Sequence, residues 1–284
     1  RLLDESGKGL TLEDIGLSPK GLEIFRRAIG KQHGMVLVTG PTGSGKTTTL
    51  YAAMQELNTT EVNISTIEDP IEYRMPRVNQ TQVKPSIGLT FANGLRSLVR
   101  QDPDIIMVGE IRDEETASLA VNAALTGHLV LSTLHTNNAA GALPRLLDMK
   151  VEPFLMASTV NLLVAQRLVR RLCTSCRKQA TLTPQLQASL KRLVKMDELL
   201  VLLQRLKLVP TAATWETVSL YEPVGCNVCS GGYKGRVGVY EFLEVTPQLQ
   251  PLITATTTSQ QLEDAARKQQ GMITMLEDGL SKVV

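Results

Sequence analysis

Residues 40–47 read Gly40-Pro41-Thr42-Gly43-Ser44-Gly45-Lys46-Thr47 and match the pattern G-x-x-x-x-G-K-[ST]. The apolar run at 35–38 comes before them and predicts a buried strand, and a helix is predicted over about 46–57. A glycine-rich turn between a strand and a helix lets backbone N–H groups face a phosphate. The Lys46 ammonium would reach the β- and γ-phosphates, and the Thr47 hydroxyl would bind Mg²⁺. This stretch therefore predicts the phosphate loop of a P-loop fold.

The pattern around this loop alternates between strands and helices. Strands are predicted at 62–67, 105–108 and 129–133, and helices at 19–30, 90–100, 114–124, 139–147 and 153–171. Such alternation predicts an α/β fold with a parallel sheet covered on both faces. After residue 171 the pattern changes to a helix at about 184–206, an extended stretch at 215–224, a strand at 237–243 and two final helices.

Carboxylates follow two of the predicted strands. Glu110 comes just after the run Ile105–Val108, whereas Asp104 stands at its other end, roughly 15 Å away. Ligands of parallel sheets bind at the carboxyl ends of the strands, so Glu110 is the better Mg²⁺ candidate. The turn at 68–72 holds three carboxylates, and one of them would orient the attacking water. A solvated acidic turn is the alternative for this cluster.

Two of the three histidines flank the strand at 129–133. His135 lies at its carboxyl end, where it would sense a γ-phosphate, and His128 lies at the other end. A lone histidine at a strand end is often structural, so both interpretations stay open. Four arginines are candidates to neutralise phosphate charge, and a surface ion pair is the alternative for each. Arg96 and Arg100 share one face of a predicted helix, four residues apart. Arg112 and Arg145 lie near predicted strand ends or loops.

The four cysteines form two C-x-x-C pairs, Cys173 with Cys176 and Cys226 with Cys229. Each pair can supply one edge of a tetrahedral Zn²⁺ site with a structural role. Without a secretory signal, zinc is favoured over disulfides, and redox-active pairs or adventitious thiols are the alternatives. The 49 residues between the pairs make an unusually long gap.

Composition excludes several classes of protein. The 284 residues are 43% hydrophobic and 20% charged, which is ordinary for a globular chain and excludes disorder. The longest apolar runs, such as Ile105–Val108, are far shorter than the roughly 20 residues of a membrane helix. A net charge of +2 and 4% aromatic residues count, weakly, against a nucleic-acid track.

Five features now carry a family resemblance. They are GPTGSGKTTTL at 40–50, TIEDPIEY at 66–73, RSLVRQDPDIIMVGEIRD at 96–113, GHLVLSTLHTN at 127–137 and the paired cysteines. The sequence resembles the secretion ATPase superfamily, specifically the type II secretion and type IV pilus assembly ATPases. In that family the first four are the Walker A, Asp box, Walker B and His box motifs, in this order. The resemblance covers essentially the whole chain.

The resemblance implies an ATPase with a RecA-like P-loop NTPase core, a tetracysteine zinc-binding insert and a helical C-terminal region. ATP with Mg²⁺ would bind between the subunits of a homo-hexamer, on residues that include Thr48 after the loop. Glu72 corresponds to the acid thought to activate water, Glu110 to the Walker B acid, and His128 and His135 to the family histidines. The four arginines fall where the family places arginines near the nucleotide, and any of them would act from a neighbouring subunit.

The resemblance also implies an organisation and a setting. Residues 1–18 would be the remnant of a preceding domain and linker, 19–172 the ATPase core, 173–230 the zinc subdomain and 231–284 the C-terminal region. Because the chain opens with Arg1 rather than Met, we expect it to be a fragment of a longer protein. The motor would be cytoplasmic and peripheral at the inner membrane. A platform protein there would bind it, partly through the missing domains, without membrane insertion or nucleic acid.

Three functions stay open at this point. The first is a motor that assembles type IV pili or the type II secretion pseudopilus. The second is a hexameric nucleic-acid motor, such as a helicase or DNA-transfer ATPase, on the same core. The third is a zinc-dependent binding module with a vestigial nucleotide site, against which the intact Lys46, Thr47, Glu72 and Glu110 count. The sequence does not separate type II secretion from pilus assembly or competence.

Overall fold

The computed structural model describes residues 10–283, which form two compact units. The first contains the residues up to Arg167 together with Tyr240–Met272, and the second contains Leu168–Val239 and the residues from Ile273 onward. Residues 1–9 of the predicted N-terminal remnant lie outside the described part of the chain. The domain boundaries inferred from the sequence stay predictions.

Strands and helices alternate through the first unit. The strands, in chain order, are β1 (Gly34–Thr39), β2 (Ile64–Glu68), β3 (Val78–Gln82), β4 (Ile105–Val108), β5 (Leu129–Leu134) and β6 (Val160–Leu172). The helices are α1 (Pro19–Ile29), α2 (Lys46–Leu57), α3 (Phe91–Val99), α4 (Glu114–Leu125), α5 (Ala142–Asp148) and α6 (Pro153–Thr159). Later in the chain, strand β9 (Tyr233–Glu244) returns to this unit.

Seven strands form one sheet in the order β3-β2-β4-β5-β1-β6-β9. The pairs β1 with β5 and β6, β2 with β3 and β4, and β4 with β5 are all parallel. Every residue of β1, β2, β4 and β5 is buried, as expected for strands covered on both faces. The α/β class is therefore confirmed, and the strands β1, β2, β4 and β5 all end at the same edge of the sheet.

The helix predicted over residues 153–171 is wrong beyond Thr159. Helix α6 ends there, and β6 begins at Val160 and pairs with β1 as far as Ala165. All six residues from 160 to 165 are buried, whereas a helix on the surface would bury one stripe only. The edge of β1 that β5 leaves open supplies the hydrogen-bond partners that favour a strand.

Side-chain caps mark where several helices begin. The Ser18 hydroxyl accepts the Gly21 N–H before α1, and Thr90 accepts the Asn93 N–H before α3. Asp113 accepts the Thr116 N–H before α4 in the same way. These caps satisfy N–H groups that a helix leaves without partners at its start.

The second unit holds a two-stranded antiparallel sheet of β7 (Lys178–Thr181) and β8 (Ser219–Glu222). The single helix predicted over 184–206 is wrong, because the structure has α7 (Pro184–Lys191) and α8 (Met196–Arg205) with a break between them. Leucines at helical spacing on α8 give this unit a small core of its own, which comprises Leu199, Leu202, Leu203, Val209 and Val218.

Three helices rather than two follow β9. They are α9 (Gln250–Thr254), α10 (Ser259–Gln270) and α11 (Met275–Ser281). Both α10 and α11 begin with a capping box, in which the threonine just before the helix and the third helical residue exchange hydrogen bonds. Among residues 10–283, no helix has an apolar stretch long enough to cross a membrane.

Candidate functional site

The predicted phosphate loop joins β1 to α2. Three of its glycines have positive φ: 150° at Gly40, 78° at Gly43 and 89° at Gly45. A Cβ at Gly40 would lie 2.4 Å from the carbonyl oxygen of Gln166, far inside van der Waals contact. Because only glycine fits there, the backbone can wrap closely at the carboxyl end of β1.

Lys46 folds back onto this loop. Its Nζ donates to the carbonyl oxygens of Gly40 at 2.8 Å and Pro41 at 3.1 Å, and the residue is only 8% exposed. Burial lowers the pKa of Lys46, and the negative charge of Glu110 opposes that shift. The buried hydroxyl of Ser44 has no hydrogen-bond partner among the described residues. The loop thus holds a cation and an unsatisfied hydroxyl where a phosphate is expected.

The start of α2 carries no side-chain cap. Gly45 is the residue before the helix, and the first intrahelical bond of this turn runs from Thr49 N–H to the Gly45 carbonyl. The N–H groups of Lys46, Thr47 and Thr48 come before that bond, as the unpaired donors of a helix start do. Such an N-terminus attracts anions.

Glu110 and His135 meet at the carboxyl edge of the sheet. Because β4 and β5 are parallel neighbours, with Val108 opposite Ser132, the residues that follow them lie side by side. His135 Nε2 is 3.3 Å from Glu110 Oε2, and Arg112 pairs with the other carboxylate oxygen. The Glu110 side chain is 11% exposed. Strands β1, β5 and β4 are parallel, so Glu110 lies at the edge of the sheet that also carries the phosphate loop.

The first carboxylate of the acidic turn is fully engaged. Glu68, the last residue of β2, is buried and accepts from the Tyr51 hydroxyl. It also accepts from Thr66 Oγ1 at 2.5 Å and Gln80 Nε2 at 3.2 Å. Glu68 is therefore a structural acid and not free to meet a water at the nucleotide.

The other two carboxylates of the turn are exposed. Asp69 and Glu72 both face solvent, and the Glu72 N–H donates to the Tyr51 hydroxyl at 3.3 Å. Glu72 thus combines an exposed side chain with a backbone N–H that is held by a hydrogen bond. A carboxylate of this kind remains available to a ligand.

Two residues lie at the amino edge of the sheet. His128 is buried, and its Nδ1 is 2.9 Å from the carbonyl oxygen of Ala123. The Asp104 carboxylate accepts the Asn63 N–H at 2.7 Å. Strand β5 separates His128 from His135 by about 23 Å at roughly 3.3 Å per residue. Within one chain, the structure therefore does not bring His128 to the phosphate loop.

Only one of the four predicted arginines contacts another site residue in the described part of the chain. That residue is Arg112, through its ion pair with Glu110. Arg96 pairs instead with Glu115 at 2.7 Å. Arg100 at the end of α3 and Arg145 on α5 are exposed.

The four cysteines converge in the second unit. Their sulfur atoms all lie within 4.8 Å of one another, and the closest pairs are 3.6–3.9 Å apart. These separations exceed an S–S bond of about 2.05 Å. Four thiolates at about 2.3 Å from a tetrahedral Zn²⁺ would stand about 3.8 Å apart. The cluster therefore fits zinc and does not fit disulfides.

The backbone shapes this cluster. The Cys226 N–H donates to the sulfur of Cys229 at 3.3 Å, and the Ser175 N–H lowers the pKa of Cys173 to about 7. Burial raises the pKa of Cys176 to about 11. A Cβ at Gly232 would lie 2.4 Å from the Cβ of Pro223, so the tight turn requires glycine.

Sequence reasoning missed three polar residues that support the site. Tyr51 and Gln80 hold Glu68, and Gln166 on β6 accepts from Thr49 Oγ1 at 2.8 Å. None of them belongs to a recognised motif. A buried tyrosine five residues after Lys46 was the only available signal, because an aromatic hydroxyl in a buried helix needs a partner.

A strand, a glycine-rich loop and a helix, with an acid after another parallel strand of the same sheet, define the class of P-loop nucleotide-binding proteins. Within that class, the chain belongs to the Type II/IV secretion system protein family, whose model matches residues 1–284.

Similar proteins span both branches of this family. The chain is 46% identical over 285 residues to the type IV pilus assembly ATPase PilB of Acinetobacter baylyi, with all of the chain and 46% of that protein covered. It is 47% identical over 284 residues to the type II secretion system ATPase E of Vibrio cholerae, with all of the chain and 52% of that protein covered. The chain thus spans about half the length of the curated relatives it matches.

Solved structures have the same fold. A crystal structure of the pilus retraction motor PilT with bound ADP matches with a TM-score of 0.64 and 28% identity, over 96% of this chain and 67% of that one. The ATPase DotB of Legionella pneumophila matches with a TM-score of 0.63 and 26% identity, over 97% and 62%.

Proposed function

We propose that this chain is the ATP-hydrolysing core of a motor that powers assembly of type IV pili or of the type II secretion pseudopilus. The observation that carries the proposal is the phosphate loop with Lys46 buried in it and Glu110 at the same edge of the sheet. The relatives named as pilus assembly and secretion ATPases support the choice of system.

The residues of the loop fit a triphosphate. The N–H groups at the start of α2 would face the phosphates, together with the buried Ser44 hydroxyl. Lys46 would exchange its two loop carbonyls for phosphate oxygens. Thr47 and Glu110 would hold Mg²⁺, which supplies charge neutralisation of the phosphates when bound.

Hydrolysis joins the oxygen of a water to the γ-phosphorus and breaks that atom's bond to the β–γ bridging oxygen. The exposed Glu72 carboxylate would orient the water and accept its hydrogen bond. His135, next to Glu110, would donate a hydrogen bond to the γ-phosphate and would lose this bond when the phosphate leaves. The catalytic role given to His128 from the sequence has no support within one chain and stays a prediction.

Zn²⁺ would be held by the four cysteine thiolates and would fill its tetrahedral shell with protein atoms. With no open position left, the metal would supply stability and no catalysis. The metal would then hold together the two ends of the segment between the cysteine pairs.

The working form would be a homo-hexamer with the nucleotide between subunits, where Arg96, Arg100, Arg112 or Arg145 of one copy would reach the phosphates of the next. We place the motor in the cytoplasm at the inner membrane, bound to the platform protein of the pilus or secretion system. Both statements rest on the family resemblance.

The direct test is Lys46→Ala in the purified protein, with Lys150→Ala as the control because Lys150 makes an exposed ion pair. We expect Lys46→Ala to abolish hydrolysis and Lys150→Ala to keep it. Wild-type turnover in Lys46→Ala would overturn the proposal. Strong stimulation of turnover by single-stranded DNA or RNA would favour the nucleic-acid motor instead.

A further inference from the structure

Tyr51 stands between the phosphate loop and the acidic turn. It lies on α2, five residues after Lys46, which corresponds to about 7.5 Å along the helix axis. Its side chain is among the largest that are fully buried. The ring packs edge-on against Tyr73 at a centroid distance of 4.6 Å, so its orientation is fixed.

The Tyr51 hydroxyl makes three contacts at once. It donates to the Glu68 carboxylate, accepts the Glu72 N–H at 3.3 Å and accepts from Gln80 Nε2 at 3.4 Å. A hydroxyl has one donor and two acceptor sites, and all three are used. One atom thus links α2, the end of β2 and the turn that carries Glu72.

Gln80 fastens the same turn from the other side. Its Nε2 donates to the carbonyl oxygen of Tyr73 at 3.0 Å, and its Oε1 accepts the Met75 N–H at 2.8 Å. Gln80 belongs to β3 and makes no contact with α2 other than the Tyr51 hydroxyl, among the hydrogen bonds of the described residues. Among the hydrogen bonds of the described residues, those of Tyr51 are therefore the ones that join α2 to residues 68–72.

The chemistry of the hydroxyl suits a permanent link. Burial, followed by hydrogen bonding to Glu68, raises the pKa of Tyr51 well above its usual value. The hydroxyl consequently stays protonated at physiological pH and remains a donor to Glu68. A buried carboxylate that lost this donor would be left partly unsatisfied, which favours retention of the contact.

We propose that Tyr51 is a positioning residue for the hydrolysis reaction: its hydroxyl fixes the Glu72 backbone relative to α2 and thereby presents the Glu72 carboxylate to the nucleotide. The inference rests on the proposed function, because it takes Glu72 as the acid that orients the water. Tyr51 itself touches no substrate in this role and acts through Glu72.

The test is Tyr51→Phe, which keeps the ring and removes the hydroxyl. We expect kcat to fall about 10- to 100-fold, because a misplacement of about 1 Å can lower a rate by that much. The Kd of a fluorescent ATP analogue should stay within about twofold of the wild-type value, because the loop is untouched. Tyr73→Phe is the matched control: no hydrogen bond of its hydroxyl occurs among the described residues, and its kcat should be unchanged.

A double-mutant cycle separates positioning from general damage. In a Glu72→Gln background the acid is already lost, so Tyr51→Phe should lower kcat no further. An equal further fall in that background, or wild-type kcat in Tyr51→Phe alone, would overturn the proposal. If Lys46→Ala and Glu72→Gln both kept full turnover, the proposed function itself would fail, and the two failures are thus distinguishable.

Discussion

His135 Nε2 lies 3.3 Å from Glu110 Oε2, across the ends of two neighbouring parallel strands. Arg112 engages the other oxygen of the same carboxylate. Glu110 therefore connects the end of β4 to the residue that follows β5, and its negative charge raises the pKa of Lys46 against the effect of burial.

Glu110→Gln should lower kcat for ATP hydrolysis by about 100- to 1000-fold, because the amide keeps the shape of the side chain but removes the charge that would hold Mg²⁺. ATP binding should persist, since Lys46 and the loop remain. Glu56→Gln serves as the control because Glu56 pairs with Arg26 on the surface. Steady-state ATPase assays with both variants decide the matter, and a wild-type kcat for Glu110→Gln would contradict the prediction.

Arg112→Ala should lower kcat/KM by about tenfold or more, because a cation at the carboxyl edge of the sheet is lost and Glu110 is left with one partner fewer. Arg26→Ala, which removes the surface ion pairs of Arg26 with Glu13 and Glu56, should stay within about twofold of wild type. Mixing Arg112→Ala subunits with Lys46→Ala subunits and measuring activity would show where Arg112 acts. Recovery of activity in the mixture requires action across a subunit boundary.

Cys226→Ser should reduce bound zinc from about one ion per chain to well below half, because a tetrahedral site loses one of its four thiolates. The region between the cysteine pairs should become more sensitive to protease. Ser175→Ala, which alters the first pair's turn without removing a sulfur, should retain its zinc. Metal analysis by mass spectrometry measures the content, and wild-type protein without zinc would refute the assignment.

Gly94→Ala should destabilise the fold, although alanine is the better helix former by about 1 kcal/mol. The added Cβ would lie 2.6 Å from Cδ1 of the fully buried Ile67, and overpacking of that kind costs about 1–3 kcal/mol. Ile67→Val removes Cδ1, so the double variant should be more stable than Gly94→Ala alone. Denaturant unfolding gives the comparison, and equal stabilities of the two would argue against a clash.

Alkaline pH should destabilise the wild type more than Tyr51→Phe. Burial raises the pKa of Tyr51 in the folded state, so above about pH 10 the unfolded chain loses this proton while the folded chain keeps it. The stabilisation is complete below pH 10 and is lost as pH rises further. Free energies of unfolding measured between pH 9 and pH 11 should therefore fall less steeply for Tyr51→Phe, and parallel slopes would contradict this.

Motif and spacing were enough to predict the parallel core and the position of Glu110 at the carboxyl edge of the sheet. Parallel strands that are neighbours end at one edge, so residues just after β4 and β5 had to come together. The convergence of the cysteines was predictable for a different reason. Each C-x-x-C pair offers half of a tetrahedral site, and no intervening distance forbids the halves from meeting.

Local pattern could not decide residues 160–165. A short run that is apolar except for Asn161 suits a buried helix and a buried strand equally well. The choice depends on the open edge of β1, which lies far earlier in the chain. The unpredicted strand β3 shows the opposite case, because its polar sequence VNQTQ carries no apolar signal and owes its conformation to pairing with β2.

The acidic turn shows a third limit. Three carboxylates stood within five residues, and sequence alone gave them equal access to a ligand. Tyr51 and Gln80 remove Glu68 from the choice by burying it in hydrogen bonds, and both come from other elements of the fold. Contacts between side chains of distant segments are the part of a site that spacing does not report.

The cysteine cluster has a consequence for the segment that it encloses. The sulfur of Cys173 lies 3.9 Å from that of Cys226, and the sulfur of Cys176 lies 3.7 Å from that of Cys229. The two ends of the segment between the cysteine pairs are therefore close together. A segment whose two ends are pinned together can grow, shrink or accept a foreign domain while its attachment points stay fixed. The stretch between the pairs is thus a suitable place to insert a fluorescent reporter domain.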